Sequence, residues 1–459
     1  MKSNQNSRPL PVMFLLYALL LNFLTGVSLA QSWTPVGTEG FSESEAFSQS
    51  IAFIGEAPYV AYMDRKNGDK ATVMKFNGEA WEVVGSAGFT PGKARSLCFA
   101  VSGNTPYVAF SDEANGRKAS VMKFDGTGWV FVGGAGITEN IADEVSLAID
   151  NGTLWLAFQD AANGSKITVM KNGGEGWAVV GLPGFSTGFM TNVIDLAVEN
   201  GIPYVSYRDY SASYRASVMK YNGESSAWQV LGEQGFSGST HDAYQCLAVY
   251  NGTPYLATRG SDAKATLYKF DGSNWSPLGT DGVSAGTAFY PTVKFDKNGV
   301  PHMAFSDDGN SGKATLMKYT ETGWEKVGEA ASKSKAEYLS LDFSESGISH
   351  LAFRDNWSLR RTTVMKFASA TNAEIIAGEK ELLLWPNPGN GQFHLILPET
   401  GKKQFQVQVI DSSGKIIYAQ SVNSGQTWQL DLSGNKNGMY WIKATGGETT
   451  LTRAFQINR

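Results

Sequence analysis

Cysteine and histidine, the residues that most metal and redox chemistry leans on, are scarce here: two and four respectively in 459 residues. Cys98 and Cys246 sit in corresponding runs, Ser96-Leu97-Cys98-Phe99 and Gln245-Cys246-Leu247-Ala248, three repeat units apart. Equivalent positions in distant units of a ring do not approach to the Cα separation of about 4.4 to 6.8 Å that a disulfide needs, so two buried thiols are expected. The histidines share no ligand spacing. His302 and His350 take a position filled elsewhere by Tyr59, Tyr107, Trp155, Tyr204 and Tyr255, His241 lies in a loop, and His394 lies beyond the repeats. No Cys-His pattern, phosphate-cradling glycine loop or Gly-x-Ser-x-Gly elbow stands out. A Ser/His/Asp group assembled from separate units stays open. No cofactor is expected, and the one loop dense enough to suggest a metal is Asp307-Asp308-Gly309-Asn310, through Asp307 and Asp308.

Clustered positive charge is also missing. The 38 Lys plus Arg are spread evenly against 43 Asp plus Glu, for a net charge of -5, which excludes the basic stripe that a phosphate backbone requires. Long apolar runs are confined to Val12 to Leu24. With Lys2 and Arg8 before it and Val27-Ser28-Leu29-Ala30 after it, this run reads as a signal peptide over residues 1–30, cleaved before Gln31. No second run of spanning length follows, so no transmembrane segment is expected in the mature chain. Helical periodicity is absent as well, because each apolar run is about five to seven residues long before Gly, Pro or Asn-Gly interrupts it.

What the sequence has in quantity is one repeated unit. Ala71 to Gly85, ATVMKFNGEAWEVVG, returns as ASVMKFDGTGWVFVG from Ala119, ITVMKNGGEGWAVVG from Ile167, ASVMKYNGESSAWQVLG from Ala216, ATLYKFDGSNWSPLG from Ala265 and ATLMKYTETGWEKVG from Ala314. An apolar, β-branched run, an Asn-Gly or Asp-Gly turn and a Trp-led run make a β-hairpin signature. Trp33, Trp81, Trp129 and Trp177 are 48 residues apart, and Trp228, Trp275 and Trp324 follow at 51, 47 and 49. Such a period with four short strands per unit predicts a propeller blade. Trp33 to Gly37 is a fourth strand with no three before it, whereas Tyr338 to Phe367 supplies three with no Trp-led fourth. Joining them predicts an all-β fold over 31–367, a seven-bladed β-propeller closed by the N-terminal strand, with no unpaired edge.

Six second strands end in Asp, at Asp64, Asp112, Asp160, Asp209, Asp307 and Asp355, and six residues on stands a base, at Lys70, Lys118, Lys166, Arg215, Lys313 and Arg361. A turn-initiating Asp with a cross-hairpin ion pair is preferred to a ring of metal ligands, because each loop offers one invariant carboxylate. The fifth unit breaks the pattern with Thr258-Arg259-Gly260-Ser261-Asp262. The repeated Trp is read as packing between units. Aromatics present in one copy alone are better contact candidates: Tyr210 and Tyr214 in one loop, Trp357 in another, with His241 beside them as a loop residue. These sit on the edge that carries the longer connections, opposite the tight turns at Asn77-Gly78, Asn151-Gly152, Asn251-Gly252 and Asp271-Gly272.

After a linker at 368–381, strand-like runs at Gln392 to Leu397, Gln404 to Ile410, Lys415 to Ala419, Thr427 to Leu432, Met439 to Ala444 and Thr450 to Ile457 predict a small β-sandwich over 382–459. Trp385-Pro386-Asn387-Pro388 with Gly391, then Asp411 to Gly414, then Gly438-Met439-Tyr440, resembles the C-terminal sorting domain of the type IX secretion system of Bacteroidota, with Trp385 where Tyr or Phe is common. The resemblance implies export across the outer membrane by that machinery, removal of the domain, and release or attachment at the cell surface.

A near-periodic ring offers similar pockets several times and suits weak multivalent binding, whereas catalysis needs one asymmetric cluster that is not visible. The reading is a secreted or surface-displayed protein that binds extracellular glycan or protein rather than an enzyme. A glycan hydrolase or lyase on the same scaffold, and a purely structural surface scaffold, are the alternatives.

Overall fold

The computed structural model describes residues 31–187, 190–238, 244–369, 382–385, 389–397, 404–424, 427–446 and 449–458. Two compact units emerge, one of residues 32–368 and one containing the C-terminal segment. Among the described residues no helix is long and apolar enough to cross a membrane.

The first unit consists of seven four-stranded antiparallel sheets. Sheet 1 shows why the repeat folds as it does. Its strands are Ala46–Ile54, Ala57–Asp64, Lys70–Phe76 and Trp81–Val83, each with the β-branched and aromatic residues that suit a pleated surface; Gly55 follows the first, the capping Asp64 ends the second and Asn77 follows the third. Sheets 2 to 6 repeat it over 94–131, 142–179, 190–230, 246–277 and 288–326. Sheet 7 takes Ala336–Phe343, Ser349–Asp355 and Arg361–Ser369 from the end of the unit and Gln31–Pro35 from its start as the outer strand. The Val36 amide bonds the Val364 carbonyl at 2.9 Å.

Neighbouring sheets are held together on both walls. On the outer wall each Trp indole donates to a carbonyl of the preceding sheet: Trp129 to Val84 at 2.8 Å, Trp81 to Val36 at 2.8 Å and Trp33 to Val327 at 3.1 Å are examples. Phe41, Phe89, Phe185 and Phe236 stack on Trp81, Trp129, Trp228 and Trp275 with centroids 4.0 to 4.4 Å apart. The repeated Trp is therefore a packing residue. On the inner wall the same first-strand position is Ser50, Cys98, Ser146, Asp195, Cys246, Thr292 and Ser340, aligned by its register with the second strand. Ser146 Oγ accepts from Leu196 N at 3.0 Å, Asp195 from Leu247 N at 2.7 Å, and Ser340 from Ile51 N at 3.1 Å. Between the walls lie apolar layers such as Val73, Leu97, Val108 and Phe110, all buried.

The recurrent Asp is consumed structurally. Asp64 accepts from Lys66 N at 3.0 Å, Asn67 Nδ2 at 2.8 Å and Thr72 Oγ1 at 2.9 Å, which caps the 3-10 turn Arg65–Asn67 and ties it to the third strand. The equivalent hydroxyls on Asp112, Asp160, Asp209 and Asp355 come from Ser120, Thr168, Ser217 and Thr363. The turn-initiating half of the expectation describes these residues; the cross-hairpin ion pair does not. Asp64 and Lys70 are partners in the backbone ladder, yet among the described residues no ion pair joins any of the six, because the carboxylate is already filled by its cap and the hydroxyl. In sheet 5, Gly260 stands where the Asp is missing, and Asp281 from the next connection bonds Thr266 Oγ1 at 2.8 Å in its place. A Cβ on Gly260 would overlap Asp281 Oδ1 and Thr266 Oγ1.

The second unit has a three-stranded sheet, Leu383–Trp385, Gln392–Ile396 and Thr427–Asp431, and a four-stranded one, Ile416–Asn423, Gln404–Asp411, Gly438–Gly446 and Thr449–Ile457. Both contribute to one core that includes Phe393, Phe405, Ile442 and Phe455. Alternation along Gly438–Gly446, with Tyr440, Ile442 and Ala444 buried between exposed neighbours, is what places these residues inward.

Candidate functional site

On the long-connection edge, Tyr210 opens the 3-10 turn after Asp209 and is 45% exposed. Tyr214 meets it edge-on at 5.1 Å, and the Arg208 guanidinium covers Tyr214 at 4.7 Å. Trp357 occupies the corresponding turn of sheet 7 and is 64% exposed. The structure thus joins Tyr210 and Tyr214 on sheet 4 and leaves Trp357 three sheets along. His241 lies outside the described residues. Asp307 accepts from Ala285 N, Gly286 N and Gly309 N at 3.1, 2.9 and 3.1 Å, so its oxygens face amide donors; Asp308 is exposed beside it. Among the described residues no three His, Cys, Asp or Glu converge as a metal site. His302 and His350 are buried and pack on Phe343 and Phe53, as aromatic-position variants do.

The tight-turn edge opens into grooves between sheets. One of about 1090 Å³ lies between sheets 4 and 5 and is lined by Tyr204, Lys220, Tyr221, Glu224, Lys269 and Asp271 among others. Another of about 710 Å³ lies between sheets 1 and 2, lined by Tyr59, Lys75, Glu82, Lys123, Phe124 and Asp125 among others. The two are built from equivalent positions. The fold pairs an aromatic on each second strand with a Lys on the third, Tyr59 with Lys75 and Tyr204 with Lys220, and the Lys220 ammonium sits 5.3 Å over the Tyr204 ring. Backbone amides of the turn and the Thr127 side chain push the Asp125 carboxyl down to about 2, and turn amides lower that of Asp271 in the same way.

A third feature was not legible in the sequence. First-strand residues of all seven sheets line a central cavity of about 720 Å³, with a mouth of about 570 Å³ towards the long-connection edge. In six of the seven sheets a β-bulge interrupts the first strand near the mouth, and Ser48, Ser96, Glu144, Tyr290 and Tyr338 sit at such bulges with φ of 53, 49, 48, 51 and 54°. Left-handed backbone is uncommon for a side chain as large as Tyr. Tyr244 stands at the matching place in sheet 5, so Tyr244, Tyr290 and Tyr338 form an arc with centroids 4.3 and 5.0 Å apart. Burial, with Asp143 adjacent, pushes the Glu144 carboxyl up to about 7. Deeper in, burial raises Asp195, the Asp342 charge raises Lys294, and burial pushes the Cys98 and Cys246 thiols up to about 12. Both cysteines are free and line this cavity partly buried, packed against the apolar core, with the Cys98 thiol donating weakly to the Val145 carbonyl.

In the C-terminal unit the motif residues serve turns. Asp411 accepts from Ser413 N and Lys415 N, and its bond from the Ser413 hydroxyl leads the interactions that hold its carboxyl low. Gly414 has φ of 85°, Gly391 is buried at φ of 104°, and the Tyr440 hydroxyl donates to Lys436 O at 2.7 Å just before Gly438. Trp385 ends the first strand; Pro386, Asn387 and Pro388 lie outside the described residues.

Residues 383–458 match the family model described as secretion system C-terminal sorting domain, so the C-terminal unit is a sorting domain of that family. No curated protein matches the chain. Among solved structures the chain is similar to a lectin of Aleuria aurantia, described as a six-bladed β-propeller with a novel fucose recognition mode, at 15% identity over 62% of this chain and 97% of that one, with a TM-score of 0.43. A mutant of AofleA from Arthrobotrys oligospora is 11% identical over 64% and 88%, and the SapL1 lectin with α-methyl fucoside is 16% identical over 63% and 99%, both at a TM-score of 0.42.

Proposed function

We propose that the chain is exported, that residues 31–367 close as a seven-bladed β-propeller, and that this propeller binds extracellular glycans weakly at several equivalent grooves. The observation that carries the reading is the recurrence of one groove at sheets 1/2 and 4/5, with an aromatic, two lysines and one carboxylate, Asp125 or Asp271, at matching positions. Aromatic surface beside both donors and acceptors suits a hydroxyl-rich ligand, and repetition turns weak contacts into avidity. Asp125 and Asp271 are committed to turn amides and held ionised, so they are poor general acids, which favours binding over a hydrolase or lyase. A second contact surface on the long-connection edge, through Tyr210, Tyr214, Trp357 and His241, is favoured by the exposure of Trp357.

Export follows from the tail. Residues 1–30 act as a cleaved signal peptide, 368–381 as a linker, and 382–459 engage the type IX machinery of a Bacteroidota cell, leaving the product secreted or on the outer surface. A glycan array with the secreted protein, followed by calorimetry, tests the binding reading. Binding with more than one site per chain, with the number of sites lowered by Lys220→Ala with Lys269→Ala, is the expected result; a silent array, or a number of sites untouched by these changes, overturns it.

A further inference from the structure

We infer that the mouth of the central cavity is a single-copy binding site for an organic primary ammonium group, separate from the repeated grooves. The first ground is unmet acceptor capacity. Gln49 is 5% exposed, lines the mouth, and donates through Nε2 to Thr362 Oγ1 at 3.3 Å, while its Oε1 has no partner among the described residues. Gln245, partly buried across the same mouth, donates through Nε2 to Val193 O at 3.5 Å and likewise has an Oε1 without a partner among the described residues. A buried carbonyl without a donor is costly, and a ligand rich in N–H groups removes that cost.

Charge is the second ground. Among the described residues, the ionisable carboxyl and amine groups lining the cavity and its mouth are Glu144, Asp195 and Asp342 against Lys294, so the interior favours a cation. Positive charge nearby is turned elsewhere: Arg354 lies over Phe47 and Tyr338 and is paired with Glu337 and Glu45, and Arg259 lies over Tyr244 and Phe289 with Nε on Ala288 O. The guanidinium groups pack on ring faces of Tyr338 and Tyr244, leaving an arc of phenols opposite Glu144. The third ground is asymmetry. The bulge position reads Ser, Ser, Glu, Val, Tyr, Tyr, Tyr around the seven sheets, so one orientation of one ligand is selected.

The ammonium could belong to an amino sugar or to a free amine, and the test separates them. Calorimetric titration of the full secreted protein at pH 8 uses a glucosamine oligosaccharide, its N-acetylated counterpart and putrescine. The expected result is one site per chain for the glucosamine oligosaccharide, putrescine or both, with the N-acetylated sugar at least tenfold weaker. Binding of the oligosaccharide alone identifies the amino sugar as the source, and binding of putrescine alone identifies a free amine. Glu144→Gln and Gln49→Met should each weaken binding about tenfold, and Lys220→Ala with Lys269→Ala should leave it unchanged, which separates this site from the grooves. Putrescine stays charged, so its affinity should fall between pH 8 and pH 5.5 as Glu144, which faces Asp143 with its Arg117 partner, Ser96 and Cys98, takes up a proton; Glu144→Gln should flatten that profile. Equal binding of the N-acetylated sugar, no binding of either amine, or wild-type affinity in both variants overturns the inference.

Discussion

The outer wall of the seven sheets repeats its chemistry, with an indole to the preceding sheet at Trp129 as at Trp81, while the inner wall changes residue at almost every step. Both walls join the same neighbours, so joining sheets does not require variation. The outer contacts use a side chain against a carbonyl whose place is fixed by the fold, and one solution serves every copy. The inner wall also faces a shared cavity, where seven identical side chains would crowd or leave a uniform bore. Regularity therefore marks scaffold, and departure from it marks where a ligand can be chosen.

Removing residues 31–38 should break the outer wall most severely. It deletes the fourth strand of sheet 7 with the Trp33 and Val36 bonds, exposes an edge, and should cost on the order of 5 kcal/mol, read as a large drop in melting temperature and earlier elution on gel filtration. A truncated protein that melts and elutes like the full chain would show that closure by this strand is wrong. Next in size is the exchange in sheet 5. Gly260→Ala should destabilise by about 2 kcal/mol or more through overlap with Asp281 and Thr266, and Asp281→Ala by about 1 kcal/mol through the lost hydroxyl partner; urea melts resolve both, and a neutral Gly260→Ala would deny the substitution of one carboxylate for another.

On the inner wall, Glu144 titrates with a folded value raised to about 7. An acid shifted upwards binds more protons when folded, so its contribution falls as pH rises from its unfolded value through 7 and is fully unfavourable above that. Glu144→Gln should therefore be the more stable protein at pH 8, by up to about 3 kcal/mol, and should lose the advantage near pH 5. Melting curves that run parallel at the two pH values would contradict this. The smallest effect belongs to Tyr210→Ala and Trp357→Ala, expected within about 0.5 kcal/mol of the parent because exposed turn side chains bury little. A larger loss in thermal melts would make them packing residues rather than contacts.

The strands, their turns and the sorting tail were legible because β-branched runs ended by Asn-Gly fix local geometry, and all six expected strand runs in the tail are present beside one more, Leu383–Trp385. The partner of the repeated Asp was misread, because a carboxylate and a base six residues apart face across the hairpin on paper, whereas Thr72 reaches the oxygen first. The cavity was hidden for a different reason. Ser48, Glu144 and Tyr338 share a position only through bulges that move the register, and a sequence aligned by its tryptophans does not show which of the intervening residues line the same cavity.

The inner-wall thiols bear on how the chain survives outside the cell. A thiol poised at about 12 is almost entirely undissociated at neutral pH, and the thiolate is the species that attacks disulfides and is oxidised. Cys98 and Cys246 therefore pass through an oxidising compartment as inert groups once the sheets have formed. Mispairing is confined to the unfolded chain, so folding before exposure to oxidant is what protects both thiols.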